Sequence, residues 1–162
     1  MIEAPDGHQL IAAKVAVGTL LGVGFGLAGT ALAAVAASVL LNARGIEVQL
    51  ASTDYALLIV GGALAGGLWA TIGLAVGAIV RNQVPALIGI AAWLLFVEGL
   101  LVEENSSVIA IGKYAPGAAA AAIAGLSPGT LLSPAVALAL LALYAAAATV
   151  VGWQATTRRD IP

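Results

Sequence analysis

Charged residues divide this chain into apolar runs too long for a soluble fold. Lys14 and Arg44 bracket 29 uncharged residues, and Asp54 and Arg81 bracket 26 more. Between Arg81 and the acidic pair Glu103 and Glu104 lie 21 residues, with Glu98 the one ionisable group among them. A fourth run is uncharged from Tyr114 to Thr157, divided by its own prolines and glycines. A helix rises ~1.5 Å per residue, so about 20 residues cross a hydrocarbon core ~30 Å thick. Four segments reach roughly that length: about 12–41, 55–80, 84–102 and 134–155.

Composition agrees. Only 9% of the 162 residues are charged and 62% are hydrophobic, whereas an average soluble domain is about 25% charged. So few charges cannot cover a core of this size with polar surface. The expected fold is all-α, a polytopic membrane helix bundle forming one transmembrane domain over 1–162. It has four transmembrane helices plus short re-entrant or interfacial helices before the last span.

Residues 105–130 supply those short helices. The stretch "VIAIGKYAPGAAAAAIAGLSPGTLL" holds Lys113, Pro116 and Pro128, and its longest clean helical piece runs from Gly117 to Gly125. That is too short to span and too apolar for a free loop, so a re-entrant or interfacial helix fits. A fifth span through Lys113 is the rival reading. In "LLSPAV", Ser133 suits a helix cap and Pro134 a first turn, where its missing N–H does no harm. Trp153 then falls near the far end, where an indole prefers the headgroup region.

An even number of spans leaves both termini on one side. That side carries Lys14, Arg81, Arg158 and Arg159, while the other carries Arg44 and Lys113. The basic excess predicts cytoplasmic termini in a multi-pass plasma-membrane protein. The acidic "MIEAPDGH" and the long run after it do not make a cleaved signal peptide.

Several chemistries drop out. Without cysteine there is no disulfide or thiolate site, and His8 is the only histidine, so no metal centre is expected. No nucleophile has a base to partner it, and nothing in the charge suggests a nucleic-acid partner. "GFGLAG" matches G-x-G-x-x-G at Gly24, Gly26 and Gly29, but a dinucleotide site needs a strand before it and a βαβ unit around it. Inside a spanning helix, glycines serve close packing. Gly18, Gly22 and Gly26 are spaced by four, as are Gly62 and Gly66, and Gly73 and Gly77. Small residues at that spacing share a face and let backbones approach. No phosphate-binding G-x-x-x-x-G-K-[ST] occurs, so no cofactor is expected on this chain.

Glu98 is the sharpest residue. Counted as α-helix from Arg81 it lies 17 residues on, ~25 Å along the axis, just inside the outer boundary. A charge at the bilayer centre would cost about 2.5–3.5 kcal/mol, and less near the edge. Three readings stay open: an interfacial acid reaching water, a polar contact of the outer segment with Lys113 and Tyr114 as partners, or a proton relay. No second intramembrane acid or histidine exists to pass a proton on. Trp69 and Trp93 fall mid-span and read as packing residues more readily than as a ligand platform. Thr71 and Tyr144 are further mid-span polar groups.

The order of segments resembles a known family. A Gly-rich span is followed by "IVRNQVPALIGIAAWLLFVEGLL", "IGKYAPGAAAAAIAGL", "LLSPAVALALLALYAAAATVVGW" and a terminal "TTRRDI". This is similar to the C-terminal two-thirds of a bacterial ABC-transporter permease subunit of the second, exporter-type class, in its actinobacterial form. Arg81, Glu98, Gly112, Lys113, Tyr114, Pro116, Arg158, Arg159 and Asp160 match that family's pattern, and "IAAKVAV" around Lys14 resembles the start of its third span. The likeness covers nearly the whole chain, though no single motif is specific. Such permeases usually have six spans, so it implies either a piece of one or a reduced four-span form.

The resemblance implies a membrane subunit that forms an export path while a separate ATPase subunit hydrolyses ATP. It implies a second permease copy as partner. The outer segment, with Glu98, Lys113, Tyr114 and Pro116, would cap the exit, and Lys14, Arg81, Arg158 and Arg159 would line the cytoplasmic face. The alternatives are an ion- or proton-coupled secondary carrier using Glu98, and a non-transporting membrane scaffold.

Overall fold

The computed structural model of the chain describes residues 7–46, 51–80, 82–98, 109–126 and 131–157. Among them every regular element is a helix, and three helices are long and apolar enough to cross a membrane. The architecture is an all-α membrane helix bundle.

Helix α1 runs Gly7–Ala43 and α2 runs Ser52–Ile79. Gly45 closes α1 with φ 71°. The Ile46 N–H reaches the Leu41 carbonyl and the Gly45 N–H that of Asn42, both at 3.0 Å. This pairing satisfies two carbonyls left over at the helix end and needs the left-handed conformation that glycine adopts without strain. At the start of α2, Asp54 Oδ2 accepts from the Ala51 N–H at 2.9 Å, stabilising a terminus that has no capping side chain of its own.

The seam between α1 and α2 is made by backbone. A Cβ added to Gly22 would stand 2.6 Å from the Gly66 carbonyl oxygen, and one on Gly66 would stand 2.9 Å from the Gly26 Cα. A Cβ on Gly26 would overlap the Gly62 carbonyl, one on Gly62 the Thr30 side chain, and one on Gly18 the Leu74 side chain. Gly18, Gly22, Gly26, Gly62 and Gly66 therefore all sit where helices meet. Gly73 and Gly77, expected to do the same, face open space: a Cβ on either meets nothing within 4 Å among the described residues. Spacing by four puts two residues on one face but does not say that a neighbour lies there. Two hydroxyl pairs pin the seam, Thr19 with Thr71 at 2.8 Å and Ser38 with Tyr55 at 3.1 Å.

The third apolar run, read as a span over 84–102, is helical from Gln83 to Glu98. It forms α3, Gln83–Ala92, capped by Asn82 Oδ1 accepting from the Val84 N–H at 3.2 Å. It then widens into π-helical turns over Trp93–Glu98. The described apolar part, Val84–Phe96, is shorter than a span. Residues 99–102 lie outside the described residues, as do Arg81, Arg158, Arg159 and Asp160. Lys14 is exposed on the first part of α1.

Two short helices follow, α4 (Ile109–Gly112) and α5 (Pro116–Ile123). The turn at 113–115 breaks any fifth span through Lys113. Gly125, with φ 74°, ends α5 as Gly45 ends α1. The Leu126 N–H bonds the Ala121 carbonyl at 3.0 Å. The last helix, α6, runs Pro134–Thr157 and begins where the Ser-Pro pair predicts. The core lies where α5 is wedged against α6: Ala119, Ala122, Ile123, Ala137 and Leu141 are buried together, with Leu68, Trp69 and Ile72 of α2 packed on them. A Cβ on Gly61 would overlap the Ile123 carbonyl, and one on Gly152 would stand 3.0 Å from the Ala75 carbonyl oxygen. Thus α2 is the shared wall, with α1 on one side and α5 and α6 on the other.

Candidate functional site

Helix α5 begins without a cap of its own. Ala115 precedes it and has no side-chain acceptor, and Pro116 occupies the first turn. The free N–H groups of a helix start must find acceptors, and here one comes from a distant part of the chain. Glu98 Oε1 accepts the Gly117 N–H at 3.1 Å and also the Trp93 indole N–H at 3.0 Å. Glu98 is 6% exposed and is the one buried charged side chain among the described residues.

The π-helical turns make this possible. In an α-helix, residues five apart point about 140° away from one another. A π-helical ladder bonds residue i to i+5 and so brings Trp93 and Glu98 to one side. Gly117 completes the fit: a Cβ there would overlap Glu98 Oε2 and stand 3.0 Å from its Cδ. The carboxyl group packs against bare backbone.

The level of Glu98 along the bundle follows from α6. The Tyr144 hydroxyl donates to the Tyr114 carbonyl at 2.9 Å, just before α5 starts. Tyr144 is ~15 Å from the Pro134 end of the 24-residue α6 and ~20 Å from its other end. From there α5 climbs toward Gly61 and Ala137, so its first turn lies level with the middle of α6. Glu98, bonded to that turn, lies level with the middle of α6 too. Two N–H bonds, each contributing about 0.5–1.5 kcal/mol net, are comparable to the insertion cost of about 2.5–3.5 kcal/mol.

Of the candidate outer-segment residues, Glu98 and Pro116 come together, while Lys113 and Tyr114 do not supply Glu98's described bonds. Lys113 Nζ lies 5.2 Å over the Tyr114 ring, and Tyr114 contributes its carbonyl to Tyr144. Sequence reading missed Trp93 and Gly117 as partners. The available signal was the uncapped "YAPG" helix start, which demands an acceptor from elsewhere.

Beside this anchor lies a cavity of about 430 Å³ between α2, α3 and α6. It is an open groove, lined toward the anchor by Trp69, Trp93, Pro116 and Tyr144 and toward its other end by Val80 and Pro85. No charged side chain lines it. No group of three or more His, Cys, Asp or Glu side chains that could hold a metal occurs among the described residues. Comparison with protein families, curated proteins and solved structures finds no match to this chain.

Proposed function

We propose that this chain is the membrane-spanning permease subunit of an ATP-driven exporter of the ABC type. A separate cytoplasmic subunit binds and hydrolyses ATP, and two copies of the membrane subunit flank the path. The chain sits in a bacterial plasma membrane with both termini cytoplasmic. The observation that carries the reading is α5: a re-entrant helix between the third run and the last span, where the resemblance expects the exit-capping segment, tied by Glu98 to the turns before it. Motion of those turns relative to α6 would open or close the outer half of the path. Here α5 caps the exit with its first turn level with the middle of α6.

Extracted in mild detergent from its own membrane, the full chain is expected to co-purify with an ATP-hydrolysing subunit. In proteoliposomes it should raise that subunit's turnover. Absence of both outcomes overturns the reading. Glu98→Gln should insert normally and impair export; unchanged export would leave Glu98 a structural cap alone.

The burial of Glu98, level with the middle of α6, favours one second reading, a proton-coupled carrier. It requires transport driven by a pH gradient without ATP and abolished in Glu98→Gln. Against it, no second acid or histidine is buried among the described residues.

A further inference from the structure

The turns that carry Glu98 are held by little besides Glu98 itself. At their entry the Trp93 backbone N–H is shared between the Gly89 and Ile90 carbonyls, a splitting typical of an α-helical ladder near its end. Over Trp93–Glu98 the chain takes a wider winding, which proteins use mostly as single turns inside α-helices and often at functional sites. Leu95 and Phe96, in the middle of these turns, are 73% and 67% exposed. Their packing does not select the wide form. The selection comes from the far end, where Glu98 is buried and its Oε1 takes the Trp93 indole N–H and the Gly117 N–H together.

Both bonds depend on the winding. Rewound as α-helix, the same six residues leave Trp93 and Glu98 about 140° apart around the axis. The carboxyl group then quits both donors at once. Helix α5, which has no capping side chain of its own, loses the acceptor at its start. Rewinding costs two bonds at one oxygen and breaks no buried contact of Leu95 or Phe96.

We propose that Trp93–Glu98 is a two-position switch: wound wide it latches α5 through Glu98, and wound as α-helix it lets α5 go. The extra residue that widens the turns is the device, so removing one residue locks the latch. Trp93 and Glu98 then stand four apart in sequence, and four residues of α-helix leave them only about 40° apart. The narrow winding now keeps both bonds. That the switch opens an export path rests on the exporter reading; the rewinding itself does not.

The test is nuclear magnetic resonance of the full chain in phosphatidylcholine nanodiscs, with nitrogen-15 in tryptophan and glycine. It follows the two donors directly, the Trp93 indole N–H and the Gly117 amide N–H. In the parent both signals should exchange between a bonded and a free position with one shared rate, on the microsecond-to-millisecond scale that relaxation dispersion reads. The free form is expected at about 0.1–10% of molecules. Leu95→Ala, which keeps the length, should preserve the exchange. Deletion of Leu95 should leave both signals at the bonded position and lower the free population at least about tenfold. Glu98→Ala should move both to the free position. Deletion of Phe96 sets the same spacing should the Leu95 deletion not yield folded protein, and the parent measurement stands without either. No exchange in the parent, unequal rates at the two donors, or exchange that survives the deletion overturns the proposal, as does a deletion that frees both donors. No ATP or transport enters the readout, so its failure is distinguishable from failure of the exporter reading.

Discussion

Along α2, the face turned to α1 and the face turned to α3 and α6 differ in side-chain size and in what that size does. Toward α1 the helix presents Gly62, Gly66 and Thr71, and the two backbones touch. Toward the cavity it presents Trp69, Ile72, Val76 and Val80, and α3 stands apart, while α6 meets the α2 backbone where Gly152 lies against Ala75. In lipid there is little hydrophobic gain in bringing helices together, so close dispersion contact decides where they bind. Small residues give a seam with one fit; large ones hold helices at a distance and leave room between them. One helix thus combines a backbone-tight joint with a face that leaves room beside it.

The comparison predicts unequal sensitivities. The largest effect is expected at the seam. Gly66→Leu drives a side chain into the Gly22 carbonyl and should cost about 3 kcal/mol or more by overpacking, read as a lowered apparent Tm in detergent and a loss of monodisperse protein. A variant as stable as the parent would mean that α1 and α2 are not in backbone contact.

A middle effect belongs to the anchor. Glu98→Ala leaves the part-buried Gly117 and Trp93 N–H bonds without their acceptor and should cost about 1 kcal/mol, with Glu98→Gln restoring part of it. Trp93 emission should shift in Glu98→Ala, measured in a Trp69→Phe, Trp153→Phe background. If Glu98→Ala and Glu98→Gln are equally stable, the carboxyl group is not the cap.

The smallest effect, and of opposite sign, is expected where the glycines face nothing. Gly73→Ala and Gly77→Ala should be neutral or stabilising by about 0.5–1 kcal/mol, through helix propensity alone. Destabilisation there would reveal a partner helix seated on that face.

The sequence made the long helices legible because charge punctuates them and apolar length does the rest. The start of α6 was readable from Ser133 and Pro134. The glycine spacing showed which residues share a face, and five of the seven do face another helix. What it could not show was which faces meet, since Gly73 and Gly77 carry the same pattern into open space. The π-helical turns over 93–98 were hidden because nothing in "WLLFVE" distinguishes them from an α-helix. Their stability comes from the Glu98 bonds to Trp93 and Gly117, which are set by tertiary contact.

Eight residues of helix are too few to persist alone in water or to cross a bilayer unaided, so α5 cannot be an early product of biogenesis. The long helices insert first, and α5 takes its place only after α2, α6 and the turns carrying Glu98 have assembled a berth for it. Its place in the fold is therefore borrowed from theirs, and whatever disturbs that berth reaches the buried Ala119, Ala122 and Ile123.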